Sequence, residues 1–263
     1  VQWPVPKGVT PVMSAKDTAA PILSVRRPAL ATATPRGRIL VVGASGQVGS
    51  ALLEAFGERN CIGTYCGSPV PGMVHFDLAK AAMNPQLAVD LLQTVYPTCV
   101  CICAGFTWVD GCESKPAHAN FMNCAGPAAV AKAAKELGVK TVWYSTDYVF
   151  DGLTEGGKKA GPYSEDAKPS PLNIYGSSKL AGEAAVLDAD PEALVIRTNV
   201  VYGPESAGKN FIYQLCRKLQ AREGMSVPVD QIGTPTYNRD LADATKALVE
   251  AGASGVVNVG GSE

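Results

Sequence analysis

Between Arg38 and Thr198, short and almost unbroken apolar runs alternate with stretches of helical periodicity, and this alternation leaves very few folds open. RILVV, CIGTY, MVHF, TCVCIC, VKTVWYS and ALVIRT have the length of strands and no polar face. Between them, QVGSALLEAFGER, PQLAVDLLQTVY, the span Pro116 to Leu137 and a segment opening near Asn173 read as amphipathic helices. Strands buried on both faces and separated by helices are βαβ units. The expected fold class is therefore α/β, a doubly wound parallel sheet of Rossmann type with right-handed crossovers. Its domain is placed at 37–263, and 263 residues are enough to bury one large core.

Residues 1–36 break the pattern. They hold five basic residues, one acidic residue (Asp17), many Pro, Ser and Thr, and no sustained periodicity. Such a segment cannot bury enough apolar surface to fold alone and is expected to be an extended arm, a candidate contact for a protein partner. Over the whole chain the balance of charge is even, 23 basic against 24 acidic residues, which gives no surplus for a nucleic-acid grip. No apolar run of about 18 residues exists to span a bilayer.

The eight cysteines include no CxxC pair, and there are two histidines, so no metal site is expected. Cys99, Cys101 and Cys103 alternate along one strand and read as small apolar filling. Thiols used as strand filling suit a reducing compartment, the cytoplasm or, given the Arg-rich and acid-poor N-terminus, an organelle.

Two motifs carry chemistry. Gly43-Ala-Ser45-Gly46-Gln47-Val48-Gly49 joins the first strand to its helix, where glycines allow a tight turn and close approach of a pyrophosphate to the helix N-terminus. The second strand ends in Gly63-Thr-Tyr-Cys-Gly-Ser68, without the acid that would hold the ribose hydroxyls of NAD(H) and without a cation for a 2′-phosphate. NADP(H) is favoured slightly and NAD(H) stays open. Asp77-Leu78 would lie against the adenine, or Asp77 would cap the next helix. In the second motif, Tyr175-Gly-Ser-Ser-Lys179, positions i and i+4 share a helix face, so phenol and ammonium point into one cleft, and the cation would favour the phenolate. The strand before it ends in Tyr144-Ser-Thr146, placing a hydroxyl where α/β sheets bind ligands.

Together these residues resemble the extended short-chain dehydrogenase/reductases, in the branch of the dTDP-4-dehydrorhamnose reductases. Relatives of that branch include the regulatory β subunit of methionine adenosyltransferase. The carrying segments are GASGQVG, FTWVDGCE, YSTDYVFDG, PLNIYGSSKLAGE, RTNVVYG, KNF and DQIGTPTYNRDLA. The resemblance implies a nicotinamide-dependent reductase of a keto-sugar nucleotide, or a nicotinamide-binding subunit of a larger assembly. It makes Thr146, Tyr175 and Lys179 the catalytic hydroxyl, acid and lysine, and adds Ala104-Gly105 to the cofactor-binding loop. It places Tyr148, Asn210, Asp230, Gln231 and Thr236 around the sugar nucleotide, with lobe segments near 200–240. Three departures stand out: Val200 where the branch carries an aromatic, Ile102 where it carries Asn or His, and a long Phe150–Pro162 loop. The chain ends at VVNVGGSE, so the small C-terminal substrate lobe is expected to be incomplete.

Overall fold

A computed structural model describes residues 38–153, 161–205, 208, 210–227 and 231–261. The expectations for the 1–36 arm, for Asp230 and for the middle of the 150–162 loop fall outside these residues. The elements run β1 (Arg38–Val42), α1 (Gln47–Phe56), β2 (Cys61–Tyr65), β3 (Val74–His75), α2 (Leu78–Met83), α3 (Gln86–Val95) and β4 (Pro97–Ile102). They continue with α4 (Val109–Ser114), α5 (Pro116–Asn120), a π-helical turn (Phe121–Ala125), α6 (Gly126–Glu136), β5 (Lys140–Thr146) and α7 (Ile174–Ala189). The last are β6 (Leu194–Thr198), β7 (Val201–Tyr202), α8 (Phe211–Ala221), β8 (Thr236–Tyr237), α9 (Asn238–Glu250) and β9 (Gly255–Asn258).

Seven strands form one sheet in the order β3-β2-β1-β4-β5-β6-β9, and every pairing is parallel. Successive side chains of β1 go to opposite faces, as period 2 requires. Leu40 and Val42 join Val100, Ile102, Trp143 and Val195 beneath α2, α3, α6 and α7. Ile39 and Val41 join Cys99, Cys101, Val142 and Tyr144 beneath α1 and α9. Cys99 and Cys101 are thus core filling, and all eight cysteines are free thiols. Helices on both faces make the sheet doubly wound, as the alternation implied.

The chain winds outward from β1 one way through β2 and the other way through β4, so the crevice above the β1/β4 boundary is the switch point where such sheets hold ligands. A second sheet, β7 beside β8, is only two residues deep and has no counterpart in the hydrophobic pattern. Among the described residues no helix is long and apolar enough to cross a membrane.

Candidate active site

The glycine loop closes over the switch point. Gly43 adopts φ +84°, and a Cβ there would sit 2.8 Å from the Ala104 nitrogen. Its N–H donates to Thr64 Oγ1 at 3.0 Å, while the Cys103 and Ala104 N–H groups donate to Val42 O. The β1 and β4 turns are therefore pressed together backbone to backbone. Gly49 packs against the same loop, and its Cβ would lie 2.7 Å from Ala44 Cα. Gly46 is the N-cap of α1 and brings no side-chain cap, and with Ser45 it is exposed. The first-turn N–H groups of α1, Gln47 and Val48 among them, thus face a cradle kept open by glycine, which fits a dinucleotide pyrophosphate.

Gln47 itself is turned aside. With its amide oriented to satisfy both ends it donates to Val201 O (3.0 Å) and accepts from Asn210 Nδ2 (2.9 Å) and the Gly203 N–H (3.2 Å). Asp77 caps α2, accepting from the Ala79 and Lys80 N–H groups at 3.0 and 3.2 Å. The Leu78 side chain lies in the core, and its carbonyl packs against Gly126 at the start of α6.

Thr146 ends β5, and its register partner is Thr198. Its hydroxyl donates to Asp147 Oδ1 (3.1 Å), accepts the Tyr148 N–H (3.2 Å) and hydrogen-bonds Tyr175. Tyr175 and Lys179 lie one turn apart on α7, and both are buried. Asn173 caps this helix by accepting the Gly176 N–H (2.7 Å), and Glu113 of α4 accepts the Ile174 N–H (2.8 Å). Gly176 allows α7 to touch the Tyr148 carbonyl, where any side chain would collide. The Tyr148 ring meets the Tyr175 ring edge to face at 5.4 Å.

Lys179 Nζ donates to Tyr144 O (2.7 Å) and stands 4.6 Å above the Trp143 ring. Gly105 leaves its other side open, since a Cβ there would come within 3.6 Å of Nζ. Burial lowers the Lys179 ammonium to about 8. Burial also pushes the Tyr175 phenol up, and the Thr146 hydrogen bond offsets part of that. This corrects the expectation that Lys179 would favour the phenolate; desolvation is the largest influence on the phenol, and it keeps the proton in place.

Sequence reasoning missed Asn123, which sits fully buried on the π-helical turn. Its Oδ1 accepts the Phe106 N–H (2.8 Å), and its Nδ2 donates to Phe106 O (2.9 Å) and Ser178 Oγ (3.0 Å). One amide thereby ties the turn after β4 to the helix carrying Tyr175. Nothing in FMNCAGP announces it, because a π-helical turn has no hydrophobic signature.

The residues expected around the substrate are less concentrated. Tyr148 is at the cleft, whereas Asn210 caps α8 through the Tyr213 N–H (3.2 Å) and donates to Gly203 O (3.1 Å). Thr236 is buried, with Thr198 Oγ1 at 3.3 Å, and Gln231 is exposed. Val200 holds φ +36° and is half exposed, an uncommon backbone state for a β-branched residue. A cavity of about 390 Å³ adjoins the loop through Ser45 but contains none of Thr146, Tyr175 or Lys179.

Residues 37–261 match the family described as RmlD substrate binding domain. The chain belongs to the RmlD family. A curated relative, dTDP-4-dehydrorhamnose reductase of Mycobacterium tuberculosis, is 39% identical over 222 residues, covering 84% of this chain and 68% of its own length. A solved dTDP-4-dehydrorhamnose reductase of Bacillus anthracis in complex with NADP superposes with TM-score 0.72 at 32% identity, covering 85% of this chain and 74% of that one. The structure of MoeE5 in complex with UDP-glucose and NAD gives TM-score 0.70 at 26% identity, covering 85% and 76%. The chain spans about two-thirds of the length of the curated RmlD relatives it matches.

Proposed function

We propose that this chain is an NAD(P)H-dependent reductase of a keto-sugar nucleotide, acting on a dTDP-4-keto-6-deoxy sugar. The observation that carries the reading is the joining of Thr146, Tyr175 and Lys179 at the C-terminal end of β5, beside a glycine cradle open at the switch point. A nicotinamide held on the glycine cradle would supply the hydride that reduces the carbonyl carbon. The protein does the rest. Tyr175, kept protonated by burial, gives its phenolic proton to the oxygen that gains charge. Thr146 would turn its one hydroxyl proton from Asp147 Oδ1 to that oxygen, beside the Tyr175 hydroxyl. Lys179, anchored on Tyr144 O, turns its remaining protons toward the cofactor ribose and the phenol.

The dinucleotide would lie on Gly43, Ser45, Gly46, Gly49 and the Ala104-Gly105 turn, with its adenosine toward Asp77. The acid-free end of β2 favours NADP(H) over NAD(H). Tyr148 would meet the sugar, and Asn210, Asp230, Gln231 and Thr236 would shape the nucleotide end. The N-terminal 36 residues would serve as an arm outside the catalytic fold.

The test is turnover of dTDP-4-keto-6-deoxy sugars with NADPH and NADH. Tyr175→Phe should slow it by about 10²–10⁴, the range of general acid catalysis, with cofactor affinity retained. A Phe variant of normal rate would remove Tyr175 from the reaction.

A further inference from the structure

Arg197 of β6 and Glu183 of α7 form a buried, two-pronged ion pair. Nε reaches Oε1 at 2.8 Å and Nη2 reaches Oε2 at 2.6 Å, with both side chains about 95% buried. Each of the three guanidinium nitrogens donates a hydrogen bond: Nη1 reaches Glu165 O (3.1 Å), and the guanidinium carbon lies 5.2 Å from the Phe150 ring, which stacks on Tyr163. Glu165 in turn accepts the Asn258 N–H of β9 (2.9 Å). Taking two charges out of water is expensive, and a well-packed apolar pair in their place is often at least as stable. Stability alone is a poor reason for this pair to sit between the apolar run of β6 and the buried face of α7.

Its position supplies a better one. Glu183 follows Lys179 by four residues, so the two share one face of α7. Arg197 precedes Thr198, the register partner of Thr146, so the pair bolts α7 to the sheet one turn below the reacting groups. Around Lys179 stand the Trp143 ring and Tyr144 O from β5, Cys103 after β4, Cys112 of α4, and Tyr175 and Glu183 of α7. Of the groups that act on its charge, the carboxylate is Glu183.

We propose that Glu183 and Arg197 are positioning residues for the reaction: their buried ion pair locks the face of α7 that carries Lys179 and holds a carboxylate one turn from its ammonium. Glu183 favours the ammonium against the burial that opposes it, and Arg197 moderates that carboxylate and aims it. The two partners therefore act on Lys179 with opposite sign. A brace that merely held the helix would have no sign.

The inference rests on the reductase reading, and cofactor binding separates the two. NADPH affinity, followed by fluorescence enhancement, should weaken as pH rises through about 8, where Lys179 loses its proton. In Glu183→Gln this inflection should move down by about half a pH unit or more, and in Arg197→Gln it should move up. The alkaline limb of kcat should move with it. Inflections that stay in place, or move together, would overturn the proposal. One-sided removal of a buried partner is strongly destabilising, so the neutral double variant E183Q/R197Q is included. Because the two removals pull in opposite directions, and the carboxylate shares the helix face of Lys179, the inflection should fall by less than in Glu183→Gln, and one at or above the wild-type value there also refutes the idea. If none of the three variants folds, the pair is a folding element and the proposal is overturned. Shifted binding inflections with no turnover of any keto-sugar nucleotide would instead count against the reductase reading alone.

Discussion

Two glycines of the same loop should respond to substitution in opposite ways. Gly46 is exposed with φ −85° and ψ 173°, a backbone any residue adopts, and a Cβ there would meet only Gly43 O at 3.3 Å. Gly46→Val should therefore fold, losing at most about 1 kcal/mol from a poorer helix cap. Its branched side chain would stand in the cradle above α1 and keep the pyrophosphate from the first-turn N–H groups. Two lost hydrogen bonds to a charged group, at about 1.5–3 kcal/mol each, weaken binding by roughly 10²–10⁴. Gly49→Val differs because its Cβ would overlap Gly43 O and stand 2.7 Å from Ala44 Cα, backbone that cannot give way without moving the loop. Overpacking of that kind costs about 1–3 kcal/mol, or roughly 3–10 °C in Tm for a chain this size. Differential scanning fluorimetry and NADPH titration on both variants make the comparison. A Gly46→Val protein that melts normally and binds NADPH within threefold of the parent would refute the loop as the pyrophosphate site.

Thr64→Val removes the acceptor of the Gly43 N–H, and an unpaired buried donor should cost about 1–3 kcal/mol in thermal stability and weaken NADPH binding. Asn123→Leu strands the Phe106 N–H, leaves the Phe106 carbonyl only the Cys112 thiol, and takes a donor from Ser178 Oγ; kcat should fall more than cofactor affinity, read from steady-state kinetics beside a binding titration.

The sheet was legible because its strands are buried on both faces, so RILVV, TCVCIC and ALVIRT show their fate in composition alone. The glycine loop was legible because backbone crowding selects glycine outright, as at Gly43 and Gly49. Tyr175 and Lys179 were legible through helical spacing. What escaped depends on neighbours far along the chain. Asn123 serves a turn 17 residues away, and Arg197 answers a carboxylate 14 residues earlier across a helix–sheet interface. Desolvation of Tyr175 follows from packing against α4, which no local pattern records. The β7–β8 ladder is too short to leave a period. Asn210 shows the opposite difficulty: a residue type suited to ligand binding is equally suited to helix capping, and the chain does not say which until it is folded.

The Gln47 amide has a thermodynamic consequence. It stands on the first turn of the helix that faces the pyrophosphate, yet its hydrogen bonds run to Val201, Gly203 and Asn210, on the segment that follows the catalytic strands. Any ligand that shifts this segment must stretch or relax the same three bonds that steady the glycine loop. By reciprocity, the free energy with which one ligand alters the grip on the other is returned in full when the order of arrival is reversed. Were a ligand at either half of the cleft to displace this segment, that single side chain would register it in the affinity of the other half, with no moving domain required to carry the message.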